Sequence, residues 1–179
     1  MYASSTVTLI QDKSLNIIVD PGMDRAKLLK ALKEEGLSVS DIDFVFLTHS
    51  HSDHILLAGI FDKAKVIDES KVYSWNGRLE RHKGRIPGTN IKIIKTPGHD
   101  PCQATPIVDT KKYGKVAIAS DLFWWADNEK QEHDRESLLF RKDPYGGKDE
   151  KLTRQSREKI LEIADYIVPG HGQIFAVTK

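Results

Sequence analysis

The chain has 179 residues, with 27 Lys and Arg against 26 Asp and Glu and a formal net charge of +1. A chain of this length buries roughly 70% of its unfolded surface, so it can form an apolar core of its own, and the balanced charge argues against a general nucleic-acid coat protein. The single cysteine excludes an internal disulfide framework and a cysteine-based zinc site.

Apolar segments bounded by turn residues predict ten short strands, which in chain order cover residues 6–10, 15–20, 43–47, 66–67, 72–73, 91–94, 105–108, 115–119, 166–168 and 173–177. Asp24 is the predicted N-cap of a first helix that Gly36 ends. Residues 55–61 and 151–164 predict two further helices, and the polar segment 126–150 predicts a long loop. This mixture of strands and helices predicts an α/β (α+β) protein with two sheets and helices outside them, in one domain over residues 1–179.

No apolar run approaches the roughly 18 residues that are needed to cross a bilayer. Residues 1–8 lack the basic and apolar regions of a secretory signal. We therefore predict a cytoplasmic protein without a membrane partner.

Histidines are concentrated directly after the predicted strand 43–47. Residues 48–54 read Thr-His-Ser-His-Ser-Asp-His, which places His49, His51, Asp53 and His54 within six positions. In an extended segment, His49 and His51 point to the same side of the chain. Imidazole nitrogen and carboxylate oxygen suit zinc, and the absence of thiolates leaves iron and manganese open. An isolated histidine at a strand end is usually structural, but four potential ligands at this spacing indicate a metal site.

Three further candidate ligands follow later predicted strands. His99 lies in Thr-Pro-Gly-His after residues 91–94, Asp121 follows residues 115–119, and His171 lies in Pro-Gly-His-Gly after residues 166–168. Taken alone, each has an ordinary structural interpretation, as a turn histidine or a helix-capping aspartate. Because ligands on loops at one edge of a sheet can converge, we expect these three to join the first group.

The unbroken His-x-His-x-Asp-His motif, followed in order by His99, Asp121 and His171, resembles the metallo-β-lactamase superfamily over essentially the whole chain. The resemblance implies a four-layer αβ/βα sandwich with a dinuclear site in a cleft at the sheet edges. It also implies that Asp20 supports the site through hydrogen bonds and that Asp121 bridges two ions. The implied ligands are His49, His51 and His99 on one ion and Asp53, His54 and His171 on the other.

The implied activity is that of a metal-dependent hydrolase. Two divalent ions, zinc most readily and iron or manganese alternatively, would bridge a hydroxide that attacks an ester, thioester, lactone or phosphodiester. Asp53, the expected catalytic residue, would both bind an ion and orient this hydroxide. The alternatives are a non-catalytic metal-binding scaffold, a phosphodiester-specific nuclease, redox chemistry at a single iron, and nucleophilic catalysis by Cys102, for which a buried structural thiol is the ordinary interpretation.

The sequence does not determine whether the substrate is a small molecule or a nucleic acid, nor does it determine the oligomeric state. Residues 123–125 are Phe-Trp-Trp and are interpreted equally well as a pocket wall or as core. The loop 126–150, with a possible hinge at Gly146 and Gly147, is a candidate lid. The basic residues of segment 78–95 suit a phosphate-bearing substrate or, more simply, an exposed strand face. His82 and His133 are expected to be surface residues.

Overall fold

The computed structural model describes residues 5–146 and 149–178. It divides into two compact units, the first ending at Thr89 and the second beginning at Asn90. Each unit has its own sheet and its own apolar core, which are described separately below. The expectation that residues 1–179 form one domain stays a prediction.

The first unit contains a six-stranded sheet in the order β1-β2-β3-β4-β5-β6, with strands β1 (Thr8–Asp12), β2 (Leu15–Val19), β3 (Phe44–Phe46), β4 (Lys65–Ile67), β5 (Lys71–Tyr73) and β6 (Leu79–Arg81). The central strands β2, β3 and β4 pair in parallel, and β3 is buried at all three residues. β6 was not predicted from the sequence because its three residues are all exposed and show no apolar alternation.

Helix α1 (Arg25–Glu34) begins and ends as predicted. Oδ1 of Asp24 accepts a hydrogen bond from the backbone N–H of Lys27 at 3.0 Å, which is the geometry of an N-cap. Leu28 and Leu32, one turn apart, are buried in the core of this unit. Gly36 has a φ of +73°, a left-handed conformation that favours glycine after a helix.

The predicted helix over residues 55–61 is replaced by the short helix α2 (Ser52–Ile55) and a 3₁₀ turn (Ala58–Ile60). The backbone N–H of Leu57 donates to Gly22 O at 3.1 Å instead of to a carbonyl four residues earlier in the helix. The helical hydrogen-bond pattern therefore stops after one turn, and the apolar side chains of this segment belong to two short elements.

The second unit contains a five-stranded sheet in the order β11-β10-β9-β8-β7, with strands β7 (Lys92–Lys95), β8 (Ala104–Thr110), β9 (Gly114–Trp124), β10 (Tyr166–His171) and β11 (Phe175–Ala176). β9 and β10 pair in parallel, and the other neighbours pair antiparallel. Helix α4 (Glu150–Ile163) agrees with the prediction and buries Ile160 and Leu161 in the core of this unit.

The prediction of a long loop over residues 126–150 is wrong in one part, because this segment contains helix α3 (Arg135–Phe140). Asp134 caps this helix by accepting from the backbone N–H of Ser137 at 2.9 Å. The helix is only six residues long and buries one apolar side chain, Leu138, so its periodicity is too short to stand out in the sequence. Gly147, half of the predicted hinge, lies outside the described residues.

Over the described residues, no helix combines the length and the apolar character that a membrane crossing requires.

Candidate metal centre

The histidine-rich motif of the first unit lies between β3 and the end of α2. Its imidazole rings are in direct contact: the ring centroids of His49 and His51 are 4.7 Å apart, and those of His49 and His54 are 4.2 Å apart. Nε2 of His54 lies 3.6 Å from Oδ2 of Asp53. His49 and His54 are buried, whereas His51 and Asp53 are half-buried. The structure thus brings together the four predicted ligands of this motif.

Asp20 determines which nitrogen of these rings carries the proton. Oδ2 of Asp20 lies 2.9 Å from Nδ1 of His54, so Nδ1–H donates to the carboxylate. Asp20 also accepts from the Oγ1–H of Thr48 at 2.7 Å. Because a hydroxyl has one proton, Oγ1 of Thr48 must accept from Nδ1–H of His49, which lies 2.9 Å away. Both rings therefore present Nε2 as the metal-binding nitrogen, as histidine ligands supported by a carboxylate do.

The Asp20 carboxylate is fully enclosed. Burial alone would raise its pKa, but the hydrogen bond from His54, the charges of His54 and His49, and the backbone N–H of Thr48 outweigh that effect, and the pKa is lowered. The residue has a φ of +49°, which Asp tolerates better than most residues, and its backbone N–H donates to Phe46 O. The carboxylate is therefore held ionised beneath the ligand rings.

In the second unit, an irregularity in the parallel pairing of β9 and β10 sets the position of Asp121. Val168 pairs with Ile118, Pro169 with Ser120 and His171 with Trp124, so β9 has extra residues in this stretch. Ser120 has a φ of +49°. Such bulges redirect side chains next to active sites. Asp121 therefore lies inside a strand rather than at a helix N-terminus, which had been its ordinary structural interpretation.

Gly170 on β10 leaves the space that the Asp121 carboxylate occupies. A Cβ at this position would overlap Oδ1 of Asp121 and would lie 2.7 Å from the Asp121 backbone nitrogen. The glycine of the Pro-Gly-His-Gly motif is thus required by the close approach of the carboxylate.

Asp121 presents a different oxygen to each of two histidines. Its Oδ2 lies 3.3 Å from Nε2 of His99, and its Oδ1 lies 3.7 Å from Nε2 of His171. Two ligands bound at about 2.0–2.2 Å to one tetrahedral ion lie about 3.3–3.6 Å apart. The spacing to His99 falls in this range and the spacing to His171 is 0.1 Å beyond it, so the geometry and the chemistry of these donors fit divalent metal binding.

His99 has a supporting carboxylate that the sequence did not reveal. Its Nδ1–H donates to Oδ2 of Asp143 at 2.6 Å, and the other oxygen of Asp143 accepts from Nε1–H of Trp124 at 3.2 Å and from the backbone N–H of Gly146 at 2.9 Å. Burial would raise the pKa of Asp143, but the hydrogen bond and charge of His99, followed by Trp124 and Gly146, lower it. Asp143 is 44 residues from His99 in a segment without periodicity, so only the fold could identify it.

The aromatic segment 123–125 divides between the two interpretations. Phe123 and Trp125 pack in the core with Phe175, whereas Trp124 lies beside His171 with ring centroids 6.4 Å apart. Alternation along a strand explains the division, since neighbouring side chains point to opposite faces.

Two smaller expectations, for Cys102 and His82, are corrected, and a third, for His133, is confirmed. The free thiol of Cys102 is exposed rather than buried. His82 is half-buried, with Nε2 3.1 Å from Asp68 O and Nδ1 accepting from the backbone N–H of Gly84. His133 is exposed as expected, and its ring stacks on Phe175 at 4.6 Å.

Comparison with known families explains the ligand order. Residues 3–93 match the family model described as the metallo-β-lactamase superfamily. The chain belongs to that superfamily. It is 33% identical to metallo-β-lactamase domain-containing protein 1 of Xenopus laevis, covering 99% of this chain and 74% of that protein, and 31% identical to the mouse protein of the same name, covering 91% of this chain and 62% of that one. The chain thus spans 74% and 62% of the lengths of these two relatives.

Solved structures give the same fold. A metallo-β-lactamase family structure from Thermotoga maritima has a TM-score of 0.70 at 22% identity, covering 96% of this chain and 88% of that one. The dizinc quorum-quenching lactonase AidC has a TM-score of 0.67 at 17% identity, covering 92% and 71%. These similarities confirm the predicted α/β metallo-β-lactamase fold and, with the family match, the prediction of a metallo-hydrolase of this superfamily.

Proposed function

We propose that this superfamily hydrolase cleaves a carboxylic ester or lactone at a dinuclear centre. One ion would be held by His49, His51 and His99, and the other by Asp53, His54 and His171, with Asp121 bridging them. The observation that carries this assignment is the Asp121 carboxylate, which offers Oδ2 to His99 and Oδ1 to His171. A residue that served one ion would need to offer only one oxygen.

Zinc suits the donor set of imidazole nitrogen and carboxylate oxygen, and iron or manganese is also compatible. When bound, two divalent ions lower the pKa of water toward 7 and polarise the oxygen of the substrate. The chain's own residues make this possible by keeping the rings in one tautomer: Asp20 does so for His49 and His54, and Asp143 does so for His99.

Asp53 is the residue we assign to orient the nucleophilic water. Its Oδ2 faces Nε2 of His54 at 3.6 Å, and its side chain is 22% exposed, so substrate and solvent can reach it. A carboxylate bound through one oxygen accepts a hydrogen bond from water with the other. No separate general base is then required.

Two features favour an ester or lactone carbonyl over a phosphodiester. The structural neighbour AidC is a quorum-quenching lactonase, and an N-acyl homoserine lactonase of Bacillus cereus is 24% identical over 76% of this chain. The basic segment 78–95, which would have to bind phosphate, contains β6, whose three residues are all exposed. Arg78 of this segment is already paired with Glu80. We retain the predicted single domain and cytoplasmic location as part of the proposal.

The test combines metal analysis with a substrate panel of a lactone, a glutathione thioester, a phosphodiester and a single-stranded RNA. We expect two equivalents of metal, hydrolysis of the lactone, loss of that activity with chelator and recovery with a defined ion. Asp121→Asn should abolish the activity. A fully metallated protein that cleaves none of the four substrates would indicate a scaffold, and one equivalent of iron alone would indicate redox chemistry; either result would overturn the proposal.

A further inference from the structure

Helix α4 carries a buried polar face toward the ligand-bearing segments of the second unit. Thr153, Ser156 and Arg157 lie at spacings of three and four residues, so they share one face of the helix. Their exposures are 4%, 5% and 2%. Arg157 is the largest fully buried side chain of the described residues. Buried polar groups at three neighbouring positions are costly unless they are bonded.

The first two of these residues contact the turn that leads to His99. The Oγ–H of Ser156 donates to Pro97 O at 2.6 Å. Gly98 has a φ of +150°, and a Cβ there would overlap the Cα of Thr153. The backbone of Pro97 and Gly98, directly before His99, therefore packs against helix α4.

Arg157 contacts the two segments that carry Asp121 and Asp143, the carboxylates on either side of the His99 ring. Its Nε–H donates to Leu122 O at 2.8 Å, and Leu122 follows Asp121 directly. Its Nη1–H donates to Arg141 O at 2.6 Å, two residues before Asp143. One side chain thus joins strand β9 at the ligand Asp121 to the loop at Asp143.

The His99 ring lies between these two carboxylates. Its Nδ1 is 2.6 Å from Oδ2 of Asp143, and its Nε2 is 3.3 Å from Oδ2 of Asp121. Both contacts can be met at once only if the strand and the loop keep a fixed separation. A guanidinium suits this task, because it is a rigid planar fork that donates in two directions, whereas a lysine ammonium is a single point.

Arg157 is held there without an ion pair among the described residues. Burial lowers the pKa of its guanidinium to about 10, an effect that the charge of Asp143 only partly offsets. The group therefore stays protonated at neutral pH. A well-packed apolar residue usually stabilises a protein at least as well as a buried charge, so packing alone does not explain an arginine at this position.

We propose that Arg157 is a positioning residue, which holds Asp121 and Asp143 at the separation that lets His99 meet both carboxylates. The proposed effect on metal binding rests on the function proposed above, but the effect on the His99–Asp143 hydrogen bond does not.

The experiment compares Arg157→Met and Arg157→Lys with two controls on the same helix. Arg154→Gln removes an exposed guanidinium that lies over Phe140. Ile160→Ala and Ile160→Val truncate a fully buried core residue. Of these two variants, the one with the melting temperature nearer to that of Arg157→Met serves as the stability control. The first readout is the Nδ1–H proton resonance of His99 in metal-free protein, identified by its loss in Asp143→Ala. The second is the metal dissociation constant from competition with a chelator.

We expect Arg157→Met to broaden or remove the Nδ1–H resonance and to weaken metal binding by about 10–100-fold, as changes to the hydrogen-bonded supports of ligands do. Arg157→Lys should recover little of the resonance or of the metal affinity, because one ammonium group cannot reach both Leu122 O and Arg141 O. Both controls should keep the resonance and bind metal within about twofold of the parent chain.

The proposal is wrong if the matched Ile160 variant loses the resonance as Arg157→Met does, since stability alone would then account for the effect. It is also wrong if Arg157→Lys restores the resonance fully, since charge rather than the two-carbonyl contact would then be responsible. If the parent chain binds no metal, the proposed function fails while the resonance still tests the role of Arg157.

Discussion

Oδ2 of Asp20 lies 2.9 Å from Nδ1 of His54, although the two residues are 34 positions apart. The same carboxylate accepts from Thr48, whose hydroxyl in turn accepts from His49. A single buried charge therefore determines the tautomer of two ligand rings. In the second unit, Asp143 supports His99 in the same way, by accepting from its Nδ1–H at 2.6 Å.

Asp20→Asn is expected to weaken metal binding by about 10–100-fold, because the amide cannot stabilise the Nδ1–H of His54 as a carboxylate does. Metal titration of the chelator-stripped protein measures the change. Asp62→Asn, on an exposed residue of the same unit, is the control. Equal dissociation constants for the two variants would contradict this role for Asp20.

Gly170→Ala is expected to abolish metal binding through the Asp121 carboxylate, since the new Cβ would overlap that carboxylate. Metal content after dialysis measures the loss. Gly59→Ala is the matched control, because a Cβ at Gly59 meets nothing within 4 Å. A Gly170→Ala protein that retains both equivalents would show that the Asp121 carboxylate is not a ligand.

Removal of the metal is expected to lower the melting temperature. An ion at about 100 times its dissociation constant stabilises the folded state by about 2.7 kcal/mol, which corresponds to roughly 5–10 °C for a chain of this size. Thermal scans with chelator, and after addition of the ion, measure the shift. The Asp121→Asn variant should show a smaller shift, and a shift as large as that of the parent chain would argue against Asp121 as a bridging ligand.

Cys102→Ser is expected to leave kcat/KM within about twofold of the parent value. The thiol is exposed, and the backbone N–H of Cys102 donates to Oδ1 of Asp100 in a tight turn. Steady-state kinetics on the lactone, before and after alkylation of the parent chain, measure the effect. A loss of a hundredfold or more would revive the nucleophilic cysteine mechanism.

Asp68→Asn is expected to destabilise the protein at pH 7 and to have a diminishing effect as the solution is acidified. Burial would raise the pKa of Asp68, but hydrogen bonds from Tyr73, Ser70 and Lys71 outweigh that effect and lower the pKa below its ordinary value. A carboxyl with a lowered folded pKa stabilises the fold above its unfolded pKa, and this contribution is lost as the pH falls through the folded pKa. Urea unfolding of both proteins between pH 7 and pH 3 measures the difference, and a difference that does not change with pH would contradict the assignment.

Local signals allowed much of the fold to be predicted. The alternation and apolar runs placed most of the strands, and Asp24 and Gly36 marked the ends of α1 correctly. The predictions failed where the signal was not local. Helix α3 is too short to show a period, and α2 ends early because the Leu57 N–H bonds to Gly22, which lies 35 residues away.

The sequence by itself determined the superfamily and the candidate ligands, because His-x-His-x-Asp-His is a dense local pattern and each later ligand lies at or near the end of an apolar run that predicts a strand. Apart from Asp20, which the family resemblance implied, only the tertiary structure decided which groups orient those ligands. Asp143 reaches His99 across 44 residues, Asp121 is directed by a bulge in β9, and Arg157 joins two segments through their backbone carbonyls. Hydrogen bonds between distant segments leave no periodicity in the chain, so the histidine-rich motif predicted a metal site but not the roles of Asp143 and Arg157.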